Sequence, residues 1–106
     1  MDFNRLPSSI VSLPKRATRH RQPEWGPEKA FGQALRDVRQ QTGISQEQLG
    51  LDAGFDRTFI SLIERGMQSP SVRTVVRLAE VLGVAPSEIV RRMETLLDQP
   101  RPSRSK

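Results

Sequence analysis

The sequence predicts an all-α fold built from five short helices. Between residues 27 and 98, apolar side chains recur at helical spacing in five successive segments, and none of these segments alternates as a half-buried strand would. Each segment opens with a residue type that favours a helix start, and the first four are followed by a glycine, which favours a helix end. Together these observations predict one compact bundle over residues 27–98.

Helix one is predicted from Pro27 to Thr42. A proline suits a first helical turn, and Gly43 suits the left-handed residue that ends a helix. Helix two is predicted to open at Ser45, which forms a Ser-x-x-Gln capping box with Gln48, and to end at Gly54. The apolar faces of the two helices consist of Phe31, Ala34, Leu35 and Val38, and of Leu49 and Ala53.

Helix three is predicted to follow Asp56, which is a good N-cap, and to end at Gly66. Ile60 and Ile63 mark its inward face. Only about three residues separate this helix from helix two, and so short a connection makes two helices cross steeply instead of lying side by side.

Helix four is predicted to begin at Ser69 and Pro70, an N-cap followed by a first-turn proline, and to end at Gly83. Its apolar face consists of Val75, Leu78, Ala79 and Leu82. Helix five is predicted to begin at Pro86 and has two apolar faces. The first consists of Ile89, Met93 and Leu96, and the second of Val90 and Leu97. The second face has no obvious partner inside so small a domain, so we expect it to contact another subunit.

The basic charge of the chain is concentrated at its two ends. The 106 residues carry a net charge of +5, yet residues 27–98 contain nine basic and ten acidic side chains. Residues 1–26 contain five basic and two acidic side chains, and residues 99–106 contain three basic ones. We expect residues 1–26 to form a flexible basic arm and residues 99–106 a disordered basic tail, since like charge and proline keep such segments from folding alone. They are either simply solvated or hold a polyanion electrostatically.

The composition argues against several classes of protein. The chain has no cysteine and one histidine, so disulfides are impossible and an ordinary His/Cys metal site is not expected. No apolar run is long enough to span a bilayer, and charges and prolines interrupt the first 26 residues, so we expect a cytoplasmic protein without a secretory signal. No glycine-rich phosphate loop follows a strand, and no nucleophile has a plausible base. We therefore expect neither an enzyme nor a bound cofactor.

The segment Gln46–Gly66 carries the functional signal. Leu49 anchors helix two in the core, Gly50 is small where two helices must approach, and Gly54 can adopt the positive φ that a tight turn needs. The two isoleucines of helix three hold one side of it inward. This spacing predicts a helix-turn-helix, with helix three free to enter a DNA major groove about 12 Å wide. On periodicity alone, the outer side of helix three could be merely a solvated face. The anchor at Leu49, the turn at Gly54 and the two inward isoleucines explain why that side is left exposed.

A family resemblance covers about residues 28–97. It rests on QEQLGLDAGFDRTFISLIERG, on LRDVRQQTGISQEQL before it and on SLIERGMQSPSVRTVVRLAEVLGV after it. These motifs resemble the Cro/repressor-type helix-turn-helix family of prokaryotic DNA-binding regulators, also called xenobiotic-response-element-like. Within that family, FISLIERGMQSPS is most similar to short controller-type repressors. The resemblance implies a compact, five-helix, lambda-repressor-like domain that binds DNA as a dimer.

The resemblance also implies roles for individual residues. The positions that read bases are Arg57, Thr58, Ser61 and Leu62. The positions that contact the DNA backbone are Gln46, Arg65, Gln68 and Ser69. Arg39 and Glu64 match a structural ion pair between helix one and the end of helix three. Among the base readers, Arg57 can form two hydrogen bonds to guanine O6 and N7, and Leu62 can only contact a thymine methyl.

The sequence departs from the family pattern at a few positions. Gly50 stands where the family usually has alanine, which weakens the helix by up to about 1 kcal/mol. Phe55 and Phe59 are bulkier than average near helix three, and we expect Phe59 to pack against its neighbours instead of stacking on a base. Ala85 replaces the common serine cap of helix five.

The favoured hypothesis is a sequence-specific transcriptional regulator that binds double-stranded DNA, as a repressor or autoregulator. A dimer would place two recognition helices on an inverted repeat whose half-sites lie about 34 Å apart. The alternative is an antitoxin or adaptor of the same fold whose main partner is another protein, bound through the N-terminal arm or helix five. Weak DNA binding together with a stoichiometric protein partner would favour this alternative.

Overall fold

The computed structural model describes residues 25–99, and this part of the chain contains five helices and no strand. They are α1 (Pro27–Thr42), α2 (Gln46–Ala53), α3 (Arg57–Glu64), α4 (Val72–Leu82) and α5 (Pro86–Asp98). The predicted all-α fold is confirmed. The arm and tail predicted at residues 1–26 and 99–106 lie outside the described residues, apart from positions 25, 26 and 99.

Serine side chains cap two of the helices, α2 and α4. Ser45 Oγ accepts the N–H of Gln48 at 3.0 Å, as predicted for the start of α2. The Gln48 side chain would complete the capping box by turning back toward the Ser45 N–H. Its amide instead donates to Asp52 Oδ1 at 2.9 Å, one turn further along α2. Asp56 occupies the predicted N-cap of α3, although its side chain accepts no capping hydrogen bond there.

The start of α4 differs from the prediction. Ser69 and Pro70 lie in the connection after α3, and the helix begins at Val72. Ser71 is the N-cap, and its Oγ accepts the N–H of Thr74 at 3.1 Å. The Ser-Pro-Ser sequence offers two possible capping serines, and the second one has the main-chain N–H three residues ahead within reach.

All five helices contribute to one core. Its largest fully buried side chains are Leu35, Leu49, Ile60, Ile63, Leu78 and Ile89. The helix α1 packs along α5 and also against α3, and α2 packs against both α3 and α4. On the second face predicted for α5, Val90 is exposed and Leu97 is half-buried. The largest exposed apolar fractions lie elsewhere, at Val72 (81%) and Leu51 (68%).

The helices α1 and α3 approach so closely at Gly32 that their backbones touch. A Cβ at this position would overlap the carbonyl oxygen of Ile63 and lie 2.6 Å from that of Glu64. Gly66, just beyond α3, has a φ of +77°, and a Cβ there would lie 2.8 Å from Lys29 Cα. The carboxyl end of α3 is therefore seated directly on the first turns of α1.

We expect Gly32→Ala to destabilise the fold by roughly 1–3 kcal/mol, which is the usual cost of overfilling a packed site. The added methyl group meets backbone atoms that cannot rotate away, and this outweighs the gain of up to about 1 kcal/mol in helix propensity. Urea denaturation followed by circular dichroism measures the difference. Gln40→Ala, at an exposed position of the same helix, is the control and should change stability little. A Gly32→Ala protein as stable as the unaltered one would contradict the close approach.

Candidate nucleic-acid interface

The helices α2 and α3 form a helix-turn-helix joined by residues 54–56. Gly54 has a φ of +85°, a conformation that penalises any side chain with a Cβ. Gly50 O accepts the N–H groups of both Gly54 and Phe55 at 2.8 Å. The Gly50 carbonyl, in the last turn of α2, therefore accepts two hydrogen bonds from the residues that follow the helix.

Gly50 has a second role in this turn, because α3 begins against its Cα. A Cβ on residue 50 would lie 2.6 Å from Phe55 O and 3.4 Å from the N–H nitrogen of Arg57. There is no room here for the alanine that is usual in the family at this position. The Phe55 and Phe59 rings pack against each other at 5.0 Å between centroids, as expected for Phe59, and both pack on the core.

One side of α3 is buried in the core. Ile60 and Ile63 are both 0% exposed. Of the four predicted base readers, Arg57 and Thr58 are exposed, and Ser61 and Leu62 are half-buried. By helical spacing, Thr58, Ser61 and Leu62 lie on the side of α3 away from the two buried isoleucines, and Arg57 is exposed at its first turn.

The residues predicted to contact the DNA backbone fall into two groups. Arg65, Gln68 and Ser69 are exposed at and after the carboxyl end of α3. Arg65 Nε donates to Ser61 Oγ at 3.3 Å, so one predicted backbone residue contacts one predicted base reader. Gln46 is the first residue of α2 and is half-buried.

Arg39 and Glu64 form an ion pair at the base of the helix-turn-helix. Arg39 Nε donates to Glu64 Oε2 at 2.6 Å and Nη2 to Oε1 at 2.9 Å, while Nη1 donates to Ile44 O at 2.9 Å. The Glu64 side chain is only 1% exposed and that of Arg39 10%. The pair joins α1, the α1–α2 connection and the end of α3.

The hydrogen bonds that Arg39 donates to Glu64 raise the pKa of Arg39, burial opposes this, and the Glu64 charge adds to the rise. Because the pKa is raised in the folded state, the stabilising effect is complete below the ordinary arginine pKa. It is lost only at still higher pH, as the pH passes through the raised value. The Arg39 guanidinium therefore stays charged at neutral pH.

Two contacts of the site were not predicted from the sequence. Gln46 Nε2 donates to Glu64 Oε1 at 2.9 Å, which connects a predicted DNA-contacting residue to the buried ion pair. Arg77 of α4 donates from Nε to Ala53 O at 3.2 Å and from Nη2 to Asp52 O at 3.4 Å. A cation is favourable at the carboxyl end of a helix, so Arg77 caps α2 from a neighbouring helix. No local pattern indicates either contact, because each partner lies 18 or more residues away.

Within residues 25–99, no three His, Cys, Asp or Glu side chains lie close enough together to hold a metal ion. In the same part of the chain, no helix combines the length and apolar character that crossing a membrane requires.

A family model described as helix-turn-helix matches residues 35–89, which is more than half of the chain. The chain belongs to this helix-turn-helix family. The match contains α2, α3 and α4 and parts of the two flanking helices. The resemblance inferred from the sequence is thereby confirmed.

The relatives of this helix-turn-helix protein include regulators and control proteins. It is 36% identical over 62 residues to an uncharacterized HTH-type transcriptional regulator, y4dJ, of Sinorhizobium fredii (strain NBRC 101917 / NGR234), covering 58% of this chain and 80% of that protein. It is 36% identical over 61 residues to the control protein C.BamHI of Bacillus amyloliquefaciens, covering 57% and 75%. The crystal structure of the restriction-modification controller protein C.AhdI from Aeromonas hydrophila superposes with a TM-score of 0.57 at 38% identity, covering 57% and 92%. The similarity to controller-type regulators is confirmed as well.

We expect Arg39→Met to destabilise this helix-turn-helix protein by about 3–5 kcal/mol, because it leaves the Glu64 carboxylate buried without a counter-charge. Combining it with Glu64→Leu should recover most of that loss, since two apolar side chains of similar volume need no counter-charge. Urea denaturation of the two single variants and the double variant measures the coupling. Additive losses in the double variant would show that the two side chains do not depend on each other.

Proposed function

We propose that this protein is a sequence-specific transcriptional regulator that binds double-stranded DNA by placing α3 in the major groove. The observation that carries the proposal is the division of α3 into two sides. Ile60 and Ile63 are completely buried, whereas Arg57 and Thr58 are exposed two turns or less away along the same helix. A helix attached by one face presents the other to a groove in a fixed orientation.

In this proposal four side chains of α3 read base edges. Arg57 is the first residue of the helix and is exposed, so its planar guanidinium can form two hydrogen bonds to guanine O6 and N7. Thr58 and Ser61 offer hydroxyl groups that donate or accept. Leu62 has no polar atom and can contact only an apolar group, of which the thymine methyl is the one in the major groove.

The backbone contacts are assigned to both ends of this surface. Gln46 stands at the first turn of α2, where main-chain N–H groups also favour an anion. Arg65, Gln68 and Ser69 follow the carboxyl end of α3. Contacts of this kind set the register of a protein on DNA and carry no sequence information directly. Residues 27–98 are nearly neutral, so attraction to phosphate depends on where these few side chains lie, together with the basic ends of the chain.

We further propose that two copies bind an inverted repeat, as a repressor or autoregulator. A two-fold axis between copies would set the two α3 helices about one DNA turn apart, near 34 Å. C.BamHI and C.AhdI, to which the chain is similar, are control proteins. The size and type of the domain fit this mode, in which a single short helix reads only a few base pairs and a second copy is needed for a longer site.

Selection from random DNA by the purified full chain, paired with a solution mass of the free and DNA-bound protein, tests the proposal. We expect a recovered motif with two inverted halves and two chains bound to it. Recovery of no common motif would contradict sequence-specific binding, and a single chain on a single half would contradict the dimer. Weak DNA binding together with a stoichiometric protein partner would instead favour the antitoxin or adaptor function.

We expect Arg57→Ala to weaken binding to the selected site by roughly 1–3 kcal/mol and to relax the preference at one base position. Its two hydrogen bonds to guanine have no replacement in the variant. Titrations against the site and against single-base variants of it measure both effects. Arg91→Ala is the matched control, since it removes the same charge from an exposed position on α5. Equal weakening on every sequence would assign Arg57 to the backbone instead.

A further inference from the structure

The carboxylate of Glu64 accepts hydrogen bonds from two different side chains. Its Oε1 accepts from Arg39 Nη2 and from Gln46 Nε2, each at 2.9 Å. Glu64 and Arg39 are buried, whereas Gln46 is half-buried at the start of α2. Gln46 is thus the member of this network that reaches the protein surface, next to the proposed DNA-binding side of α3.

The chemistry of a carboxylate decides which end of the Gln46 amide faces inward. An ionised carboxylate only accepts hydrogen bonds, so it attracts the NH₂ end of the amide and repels the carbonyl end. Nε2 carries two hydrogens, and one of them is directed at Glu64. The other remains available to an acceptor outside the protein. DNA phosphate oxygens are acceptors, so this second Nε2 hydrogen is the group of the Gln46 amide that suits a phosphate.

We infer that Glu64 is a positioning residue for DNA binding, which holds Gln46 so that its second Nε2 hydrogen faces a phosphate. This inference rests on the proposed function, in which Gln46 contacts the DNA backbone. The carboxylate that anchors the end of α3 to α1 then also orients the phosphate contact at the start of α2. A phosphate contact from α2 and base contacts from α3 are thereby kept at a constant spacing.

Simple electrostatics and positioning predict opposite effects for Glu64→Gln. The substitution removes a negative charge from a protein that binds a polyanion, so electrostatics alone predicts tighter binding. Positioning predicts weaker binding, because a neutral amide at this place offers Gln46 either a donor or an acceptor and no longer selects one end of its side chain. The direction of the change in affinity therefore distinguishes the two.

The experiment compares the full chain with Gln46→Ala, Glu64→Gln and the double variant, on the selected duplex and on a mixed-sequence duplex of equal length. We expect each single variant to bind both duplexes about tenfold more weakly, as for the loss of one hydrogen bond to a charged group. In the Gln46→Ala background, Glu64→Gln should weaken binding no further. The slope of log affinity against log salt should not change with Gln46→Ala, because a neutral contact releases no counterion. Gln48→Ala is the matched control on the same helix, since that amide donates to Asp52 at the surface.

Three outcomes would overturn the inference. Glu64→Gln could bind as tightly as the unaltered chain or tighter, or it could weaken binding by the same factor with and without Gln46. Gln46→Ala could bind with unchanged affinity, which would also remove Gln46 from the backbone contacts. Failure of the proposed function is distinguishable, since the unaltered chain would then show no sequence preference on any duplex.

A measurement on the unaltered protein tests the inference without any risk to folding. The side-chain ¹⁵N relaxation of Gln46 in the free protein should match that of the α2 main chain, because its amide is already held by a buried carboxylate. The Gln48 amide, which is exposed with its partner Asp52, should be more mobile on the same timescale. Equal mobility of the two amides would overturn the positioning role of Glu64.

Discussion

A buried negative charge at the end of α3 governs how the first three helices are arranged. Burying an isolated carboxylate costs several kcal/mol, so Glu64 requires the Arg39 guanidinium at the place where the structure has it. The same guanidinium donates to Ile44 O, in the connection between α1 and α2. One cation therefore joins α1 and the connection directly after it to the end of α3, 25 residues away. The pair therefore holds the end of α3 against α1, next to the connection that leads into α2.

The helix α3 is stabilised by its contacts with the other helices. It has eight residues, and isolated helices of that length are not stable in water. Its apolar face is completely buried, its carboxyl end rests on the backbone of α1 at Gly32, and its amino end rests on α2 at Gly50. Both ends and one side are thus held by contacts that leave little room for movement. The remaining side carries the predicted base readers, and hydrogen bonds to base edges are specific only when their donors are held in a constant direction.

Local signals predicted most of the helices, and contacts between distant residues could not be predicted in the same way. The five helices, the cap at Ser45 and the buried isoleucines of α3 all follow from patterns within a few residues. The sequence pattern places the start of α4 at Ser69 because two serines flank one proline, and only the folded backbone distinguishes Ser71 as the cap. Gly32 has no local signal, since the reason for a glycine there is a pair of carbonyl oxygens about 30 residues away. The roles in DNA binding come from the family resemblance and remain predictions, and the Gln46–Glu64 bond emerges only when α2 and α3 are packed.

The departures at Gly50 and Phe55 are best understood as one feature of the turn. A glycine within α2 makes the helix less stable by up to about 1 kcal/mol than an alanine would. Because glycine has no Cβ, the carbonyl oxygen of Phe55 can come within 2.6 Å of the place that a Cβ would occupy. The Phe55 ring packs against Phe59 and the core directly beside this contact. An alanine at 50 would not permit this approach, because all the nearest atoms belong to the main chain. The turn therefore requires a residue without a Cβ at position 50, while the contact of Phe55 with Phe59 and the core holds the residue whose carbonyl makes that requirement.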